Sequence, residues 1–412
     1  MHRCYISSVD DITIYGVVSP TAITNTMSSI NIDINNLKLL IEKKLNILNA
    51  DISLLTENDG TFNEIYVIKS ASLHRGSAVL RIARDTYPKL KTENEVATLK
   101  VVRETTNLPV PEVLFWGTDL VGNDGKAYEY ICLGFLLGET LSRIWRTLSE
   151  ANIEGLIEQI VQIHLTLREL RSAYPHGLRI ADGDRIVDGP QLTHEVYDNQ
   201  HIAKYWNGYL QENFSTLNIV NIHKSQLELI KAKLKRNLHV LQVHSACEEL
   251  RQSHGPLLKD VLQIIDGDQF KTIYQEPTIF HLAHRDLHFG NLLYDRETNK
   301  ISGILDWELA GYFVADNWEP GNTLYPIDYG EEDEETYNGW RNKLFEVLKE
   351  KNFQAYKEQE TDNDSLFSVV RKFESLSFWI IFTTITGASS DRRLRWIEEF
   401  EQKYSLVKDI CT

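Results

Sequence analysis

The chain has 412 residues, of which 42% are hydrophobic, 25% charged and 10% aromatic, and its formal net charge is −16. That profile is globular, excludes a disordered chain, and leaves room for two lobes around sizeable cores. The acidic balance argues against nucleic acid or an anionic membrane surface as partners; it suits a cationic or amine-bearing small molecule, and equally an ordinary cytosolic protein.

Residues 1–30 show no clear element and read as an N-terminal extension, with neither a signal-peptide core nor transit-peptide character. Asp33 stands as a helix N-cap, and Leu37, Leu40, Ile41, Leu45 and Leu48 make a helical stripe. EIYVI (Glu64–Ile68) and AVLRIAR (Ala78–Arg84) read as strands. A helix is predicted around ENEVATLKVVRET, with Val96, Leu99 and Val102 on one face; after Pro109 and Pro111, EVLFW and YEYICLGF read as further strands.

Beyond Gly138 the periodicity turns helical: Leu156, Ile157, Ile160, Val161, His164 and Leu167 line one buried face, with His164 a satisfied core histidine. A loop, DGDRIVDGP (Asp182–Pro190), separates this helix from a helical block over 194–265. Strand signal returns between 278 and 306, and the remainder is mostly helical apart from the acidic run EEDEE (Glu331–Glu335). The order is a small β-rich lobe with one helix, then a larger helical lobe holding one short hairpin, an α+β arrangement. The four cysteines (Cys4, Cys132, Cys247, Cys411) lack CxxC spacing, and no apolar run reaches the length of a spanning helix. A reducing, cytoplasmic setting without a disulfide framework is expected.

HLAHRDLHFGN (His281–Asn291) concentrates the chemistry. His281, His284 and His288 would share a helix face, but Asp286 and Gly290 do not suit a zinc-ligand helix, and neither a cysteine companion nor an H-E-x-x-H motif is present. HRDLHFGN instead fits H-x-D-L-x-x-x-N, the catalytic-loop template of kinases. NLLYD and ISGILD, joined by the polar turn RETNK, read as a hairpin that returns the chain to its starting end, so Asn291 and Asp306 should meet. Two carboxylates and an amide oxygen around one point are the hard oxygen set that Mg²⁺ takes together with triphosphate oxygens. Asp286 is then the base for the acceptor hydroxyl, and Asn291 and Asp306 the metal ligands. His284 is expected to brace the loop; His288 faces substrate or solvent.

After Asp306 stands GILDWELAGYFVADNWE rather than D-F-G, and no A-P-E follows. This run, with ENEVATLKVVRETTNLPVPEVLFWG and LLGETLSRIW, resembles the aminoglycoside phosphotransferase / choline kinase superfamily, most closely its phosphotransferase enzyme family branch common in fungi, over roughly residues 55–320. The resemblance implies a bilobal protein-kinase-like fold, with a nucleotide-binding N-lobe over 31–136, a mainly helical C-lobe over 137–412, and ATP in the cleft with Mg²⁺. It puts the phosphate-contacting cation at Arg81, its helix partner at Glu95, the adenine hinge at Gly134, Phe135 and Leu136 beside a wall made by Leu133, and the phosphate loop around Gly60. Arg81 as a snorkelling edge cation and Gly60 as a plain turn glycine are the alternatives. Arg285 departs from the family, which more often has glycine there and so leaves some protein-kinase-like activity open. The expected reaction moves the γ-phosphate to a hydroxyl of a small molecule, an aminoglycoside- or choline-like amine being one option, with Trp318, Glu319, Asp328 and Trp340 as candidate contacts. A nucleotide-binding pseudokinase and an atypical protein kinase are the rival readings. No motif speaks to oligomeric state.

Overall fold

The computed structural model of the chain describes residues 30–55, 63–83, 89–314, 324, 334–351, 365–388 and 390–411. Residues 1–29 of the N-terminal extension, Gly60, Trp318, Glu319, Asp328 and most of the acidic run lie outside the described residues.

Asp33 caps helix α1 (Ile34–Leu45), its side chain accepting from the Asn35 N–H at 2.9 Å. Leu37 and Ile41 are fully buried, but the helix ends at Asn46 with φ 56°, and Leu48, predicted to extend the stripe, is 67% exposed. Strands β1 (Asp51–Leu54), β2 (Asn63–Lys69), β3 (Ser77–Ala83), β4 (Val113–Val121) and β5 (Ala127–Gly134) form one antiparallel sheet in the order β1-β2-β3-β5-β4. Strand alternation sends Ala78, Leu80 and Ile82 of β3 into a core with α1, Ile68 and Cys132. Arg81, between them, turns to the opposite face, where Ile131 and Leu133 of β5 pack with Val96, Leu99 and Val102 of α2 (Leu90–Thr105).

Helix α2 is buried on more than its apolar face. Residues Lys91 to Leu99 are all buried, and the side chains of Glu93, Asn94 and Glu95 among them have polar partners. Arg179 Nε meets Glu93 Oε2 at 2.7 Å, and Asn94 Oδ1 accepts from the Leu178 N–H at 2.7 Å. Burial of these charged and amide groups is tolerable because they are matched.

The two-residue strands β6 (Glu139–Thr140) and β7 (Arg171–Ser172) flank α3 (Glu150–Arg168), which Ser149 caps. Its predicted face is buried throughout, and burial, with His284 nearby, lowers the His164 imidazole to about 3. The predicted loop at 182–190 is instead half of a hairpin, β8 (Gly177–Ala181) and β9 (Arg185–Gly189), turning at Asp182–Asp184. Its Gly- and Asp-rich composition masks an alternation in which Leu178 and Ile180 are buried. The helical block starts later than predicted: residues 190–198 are irregular, and α4 (Gln226–Val243) and α5 (Gly255–Asp266) are its longest helices.

Strands β10 (Phe280–Ala283), β11 (Leu292–Asp295), β12 (Lys300–Ile304) and β13 (Gly311–Phe313) complete two three-stranded sheets, β13-β10-β7 and β12-β11-β6. Helix α6 (Glu334–Glu350) carries Trp340, which is partly buried and packs edge-on to Trp145 at 5.4 Å. Helices α7 (Leu366–Thr386) and α8 (Ser390–Cys411) pack with α4 and α5 around Leu234, Leu258, Phe373 and Phe400. Cys132, Cys247 and Cys411 are free and buried, and among the described residues no helix is long and apolar enough to cross a membrane. The α+β expectation holds, with more strand in the C-terminal part than the single predicted hairpin.

Candidate active site

The β11–β12 hairpin forms as its pattern suggests, pairing Leu292 with Ile304. One residue further along, the Leu305 N–H donates to the Asn291 carbonyl at 2.9 Å, which brings Asn291 and Asp306 to the same end. Asn291 Nδ2 donates to the Asp286 carbonyl at 2.7 Å and lies 3.4 Å from Asp286 Oδ2. Its amide nitrogen is thus committed to the loop, and Oδ1 is the atom left to ligate.

His284 braces this loop as expected. Its Nε2–H donates to the Leu305 carbonyl at 2.8 Å, Nδ1 accepts from the Asp286 N–H at 3.3 Å, and its ring lies 4.5 Å from that of Trp307. Burial lowers its pKa, which keeps it neutral in that role. His288 Nδ1 accepts from the Gly290 N–H at 3.0 Å, and Nε2 stands 3.8 Å from Asp286 Oδ1. His281 bonds the Arg168 carbonyl at 2.7 Å. The three histidines therefore have three separate tasks and do not converge on a metal. Arg285 has φ 72°, a left-handed conformation that favours glycine, and its guanidinium lies 4.6 Å from the centroid of the Phe313 ring. Asp306 has φ 65°, a locally strained left-handed backbone.

Arg81 joins the two halves of the site. Nη1 meets Glu95 Oε1 at 2.5 Å; Nη2 meets Asp306 Oδ1 at 2.9 Å, across 225 residues of chain, and Glu308 Oε2 at 3.5 Å. Lys91, one turn before Glu95 on α2, meets Glu308 Oε2 at 2.8 Å. Oxygens of Glu95, Asp306 and Glu308 all lie within 4.8 Å of one another. Three carboxylates against two cations leave the cluster one negative charge if all are ionised. Burial pushes Glu308 up to about 7, helped by Asp306 and in spite of Lys91 and Arg81. Burial also raises Glu95. Asp306 is held below the usual carboxylate range, because Arg81 and then Lys91 outweigh its burial. Burial works against the Arg81 cation as well, but Glu95 and Asp306 raise its pKa overall. Asn94 fastens α2 to this segment, donating from Nδ2 to the carbonyls of Glu308 (3.1 Å) and Ala310 (2.8 Å).

The predicted hinge lies against the hairpin. Ser302 Oγ donates to the Leu137 carbonyl at 2.5 Å, and Leu136 fills the space over Gly303, where a Cβ would come within 2.9 Å of Leu136 Cδ1. Gly138, at φ 138°, runs so close to Ser302 that a Cβ would lie 2.3 Å from its Oγ. The Gly134 amide donates to the Glu112 carbonyl at 2.8 Å. Gly60 lies outside the described residues.

Arg81, Glu95 and Asp306 therefore come together, as do Asp286 and Asn291, and the Asn291–Leu305 backbone bond links the two sets. Lys91, Asn94, Glu308 and His194, whose Nε2 lies 3.9 Å from Asp286 Oδ1, were missed from sequence. The i, i+4 spacing of Lys91 and Glu95 was a usable signal; nothing local marked His194.

The sequence profile described as Phosphotransferase enzyme family matches residues 58–313. Two subtelomeric hrmA-associated cluster proteins of Aspergillus fumigatus, from different strains, are each 27% identical over 305 and 307 residues. Those alignments cover 63% of this chain and 57% of theirs, so the chain matches little more than half the length of these relatives. Among solved structures, the streptomycin–ATP ternary complex of APH(2")-IIa superposes with TM-score 0.47 and 11% identity, covering 92% of this chain and 99% of that one. Spectinomycin phosphotransferase APH(9)-Ia with ADP and spectinomycin superposes with TM-score 0.34 and 12% identity, covering 92% and 98%. With its matching segment running from β2 to β13 through the α2 helix and the β11–β12 hairpin, the chain belongs to the Phosphotransferase enzyme family.

Proposed function

We propose that the protein is an ATP- and Mg²⁺-dependent phosphotransferase that moves the γ-phosphate to a hydroxyl of a small molecule. The observation that carries this reading is the Arg81 junction: one buried guanidinium ties strand β3 to Glu95 on α2 and to Asp306 after the catalytic hairpin. In this reading residues 31–136 bind the nucleotide, with Gly134, Phe135 and Leu136 at the adenine edge, and residues 137–412 carry the catalytic loop and the acceptor region. Arg81 contacts phosphate oxygens, which its planar fork suits.

The donor set supports a hard divalent cation. Asn291 Oδ1 is the amide atom left over, Asp306 is held ionised, and the carboxylate excess at the Arg81 cluster favours added positive charge. Asn291 and Asp306 would hold Mg²⁺, which when bound neutralises phosphate charge. Asp286, 27% exposed at its side chain and tethered by Asn291, takes the proton of the acceptor hydroxyl. The packing of Arg285 on Phe313 gives that residue a structural task and weakens the protein-kinase alternative. An amine-bearing acceptor is the class to try first, given the formal charge of −16. Free, buried thiols favour a cytoplasmic setting.

The test is thermal stabilisation by ATP or GTP with and without Mg²⁺, followed by a panel of amines, amino alcohols, sugars and aminoglycosides. Metal-dependent stabilisation by nucleotide, lost in Asp306→Ala and increased by one acceptor class, is the expected result. No nucleotide effect at all would replace the kinase reading with a non-catalytic one.

A further inference from the structure

The irregular stretch 190–198 is fixed at nearly every residue, although it belongs to no helix or strand. Gln191 Nε2 donates to the Tyr312 carbonyl at 2.8 Å, and buried Leu192 packs on Leu309. Glu195 is largely shielded between α4 and α7: Oε2 takes Lys233 Nζ at 2.7 Å, Oε1 accepts from Ser375 Oγ at 2.5 Å, and its carbonyl accepts from Arg236 Nη1 at 3.1 Å. Glu374 on α7 completes the cluster, 3.5 Å from Lys233 and 3.7 Å from Arg236. The Tyr197 backbone exchanges hydrogen bonds with the Asn218 side chain at 2.8 and 2.9 Å. Loops are ordinarily the mobile parts of a fold, and this one is anchored by buried charges on two helices.

What this anchoring presents is His194. Its side chain is 36% exposed, and Nε2 lies 3.9 Å from Asp286 Oδ1, the oxygen that His288 Nε2 approaches at 3.8 Å from the other histidine. Asp286 Oδ2 is turned toward Asn291. The carboxylate thus has one oxygen toward the Asn291 amide and the other between two imidazoles. At 3.9 Å the His194 contact is longer than a hydrogen bond. Catalytic hydrogen bonds are often this loose before substrate binds.

We propose that His194 is a positioning residue for the transfer step: its Nε2–H holds Asp286 Oδ1 in the orientation that receives the acceptor proton, and the buried Glu195–Lys233–Glu374 cluster holds His194 there. The proposal rests on Asp286 acting as the base in the reading above. It makes readiness of the base depend on how α4 and α7 are packed, since both helices grip the residue next to His194.

The test uses the full chain with Mg·ATP and, as acceptors, water, choline, ethanolamine, kanamycin and glucose. His194→Ala should lower kcat about 10- to 100-fold, the scale of a misplaced catalytic group, with KM for ATP unchanged. His194→Gln, which keeps a side-chain N–H, should recover a large part of that loss. In an Asp286→Asn background His194→Ala should change kcat by less than about 2-fold, because the group it positions is already gone. Unfolding midpoints of both His194 variants should match the wild type, because the side chain is partly exposed. Equal losses in both backgrounds, a change confined to KM for ATP, or undiminished turnover in His194→Ala would each overturn the assignment while leaving the kinase reading in place. A wild-type protein inert toward all five acceptors would withdraw the kinase reading and this assignment with it.

Discussion

Glu308→Gln should make the ligand-free protein more stable at pH 8 while leaving it almost unchanged at pH 5. In the folded chain the Glu308 carboxyl is raised from its ordinary 4.5 to about 7 by burial and by Asp306, even with Lys91 2.8 Å away. The folded state therefore binds a proton more tightly than the unfolded chain does. Stability from this group is fully present below pH 4.5, declines as pH rises, and is lost above about 7. At 1.36 kcal/mol per unit, the ionised group costs about 3 kcal/mol at pH 8. Glutamine keeps the shape and an oxygen for Lys91 without the charge, so the variant escapes that cost. Urea unfolding of both proteins at pH 5 and pH 8 checks it: the variant's advantage should appear on going to pH 8 and approach about 3 kcal/mol. A variant no more stable than wild type at pH 8, or a difference that ignores pH, would refute the excess of buried negative charge. The same variant should show weaker Mg²⁺-dependent stabilisation by ATP, since that excess is what favours the metal.

Three further outcomes follow from the site geometry. Asp286→Asn should slow transfer by about 10²–10⁴-fold while nucleotide affinity, read by thermal shift, stays close to wild type; an equal loss of affinity would contradict its role as the base. Asp306→Ala removes the proposed metal ligand and one partner of Arg81, so Mg²⁺-dependent ATP binding by calorimetry should disappear, and its survival would move the proposed metal elsewhere. Asn94→Leu strips partners from the buried carbonyls of Glu308 and Ala310 and from the Leu178 amide, and at about 1–3 kcal/mol for each unpaired group it should destabilise by about 3–5 kcal/mol in urea unfolding. A loss under about 1 kcal/mol would mean that α2 is held by its apolar face alone.

Local pattern was enough for the parts of this protein whose partners lie close in the chain. The Asp33 cap, the α3 stripe and the β11–β12 hairpin depend on residues within a few positions of one another, so periodicity and turn chemistry specify them. The loop template and hairpin spacing likewise brought Asp286 to Asn291 and Asn291 toward Asp306 on sequence alone. Pattern failed where composition hid alternation, as in β8–β9, and where strands were very short, as in β13. Only tertiary structure decided the charges. The Arg81–Asp306 contact spans 225 positions, and Lys91, Glu308 and His194 acquire meaning from neighbours contributed by distant segments. Burial and the field of nearby charges set whether a carboxylate is ionised, and both are properties of the packed chain rather than of any stretch of it.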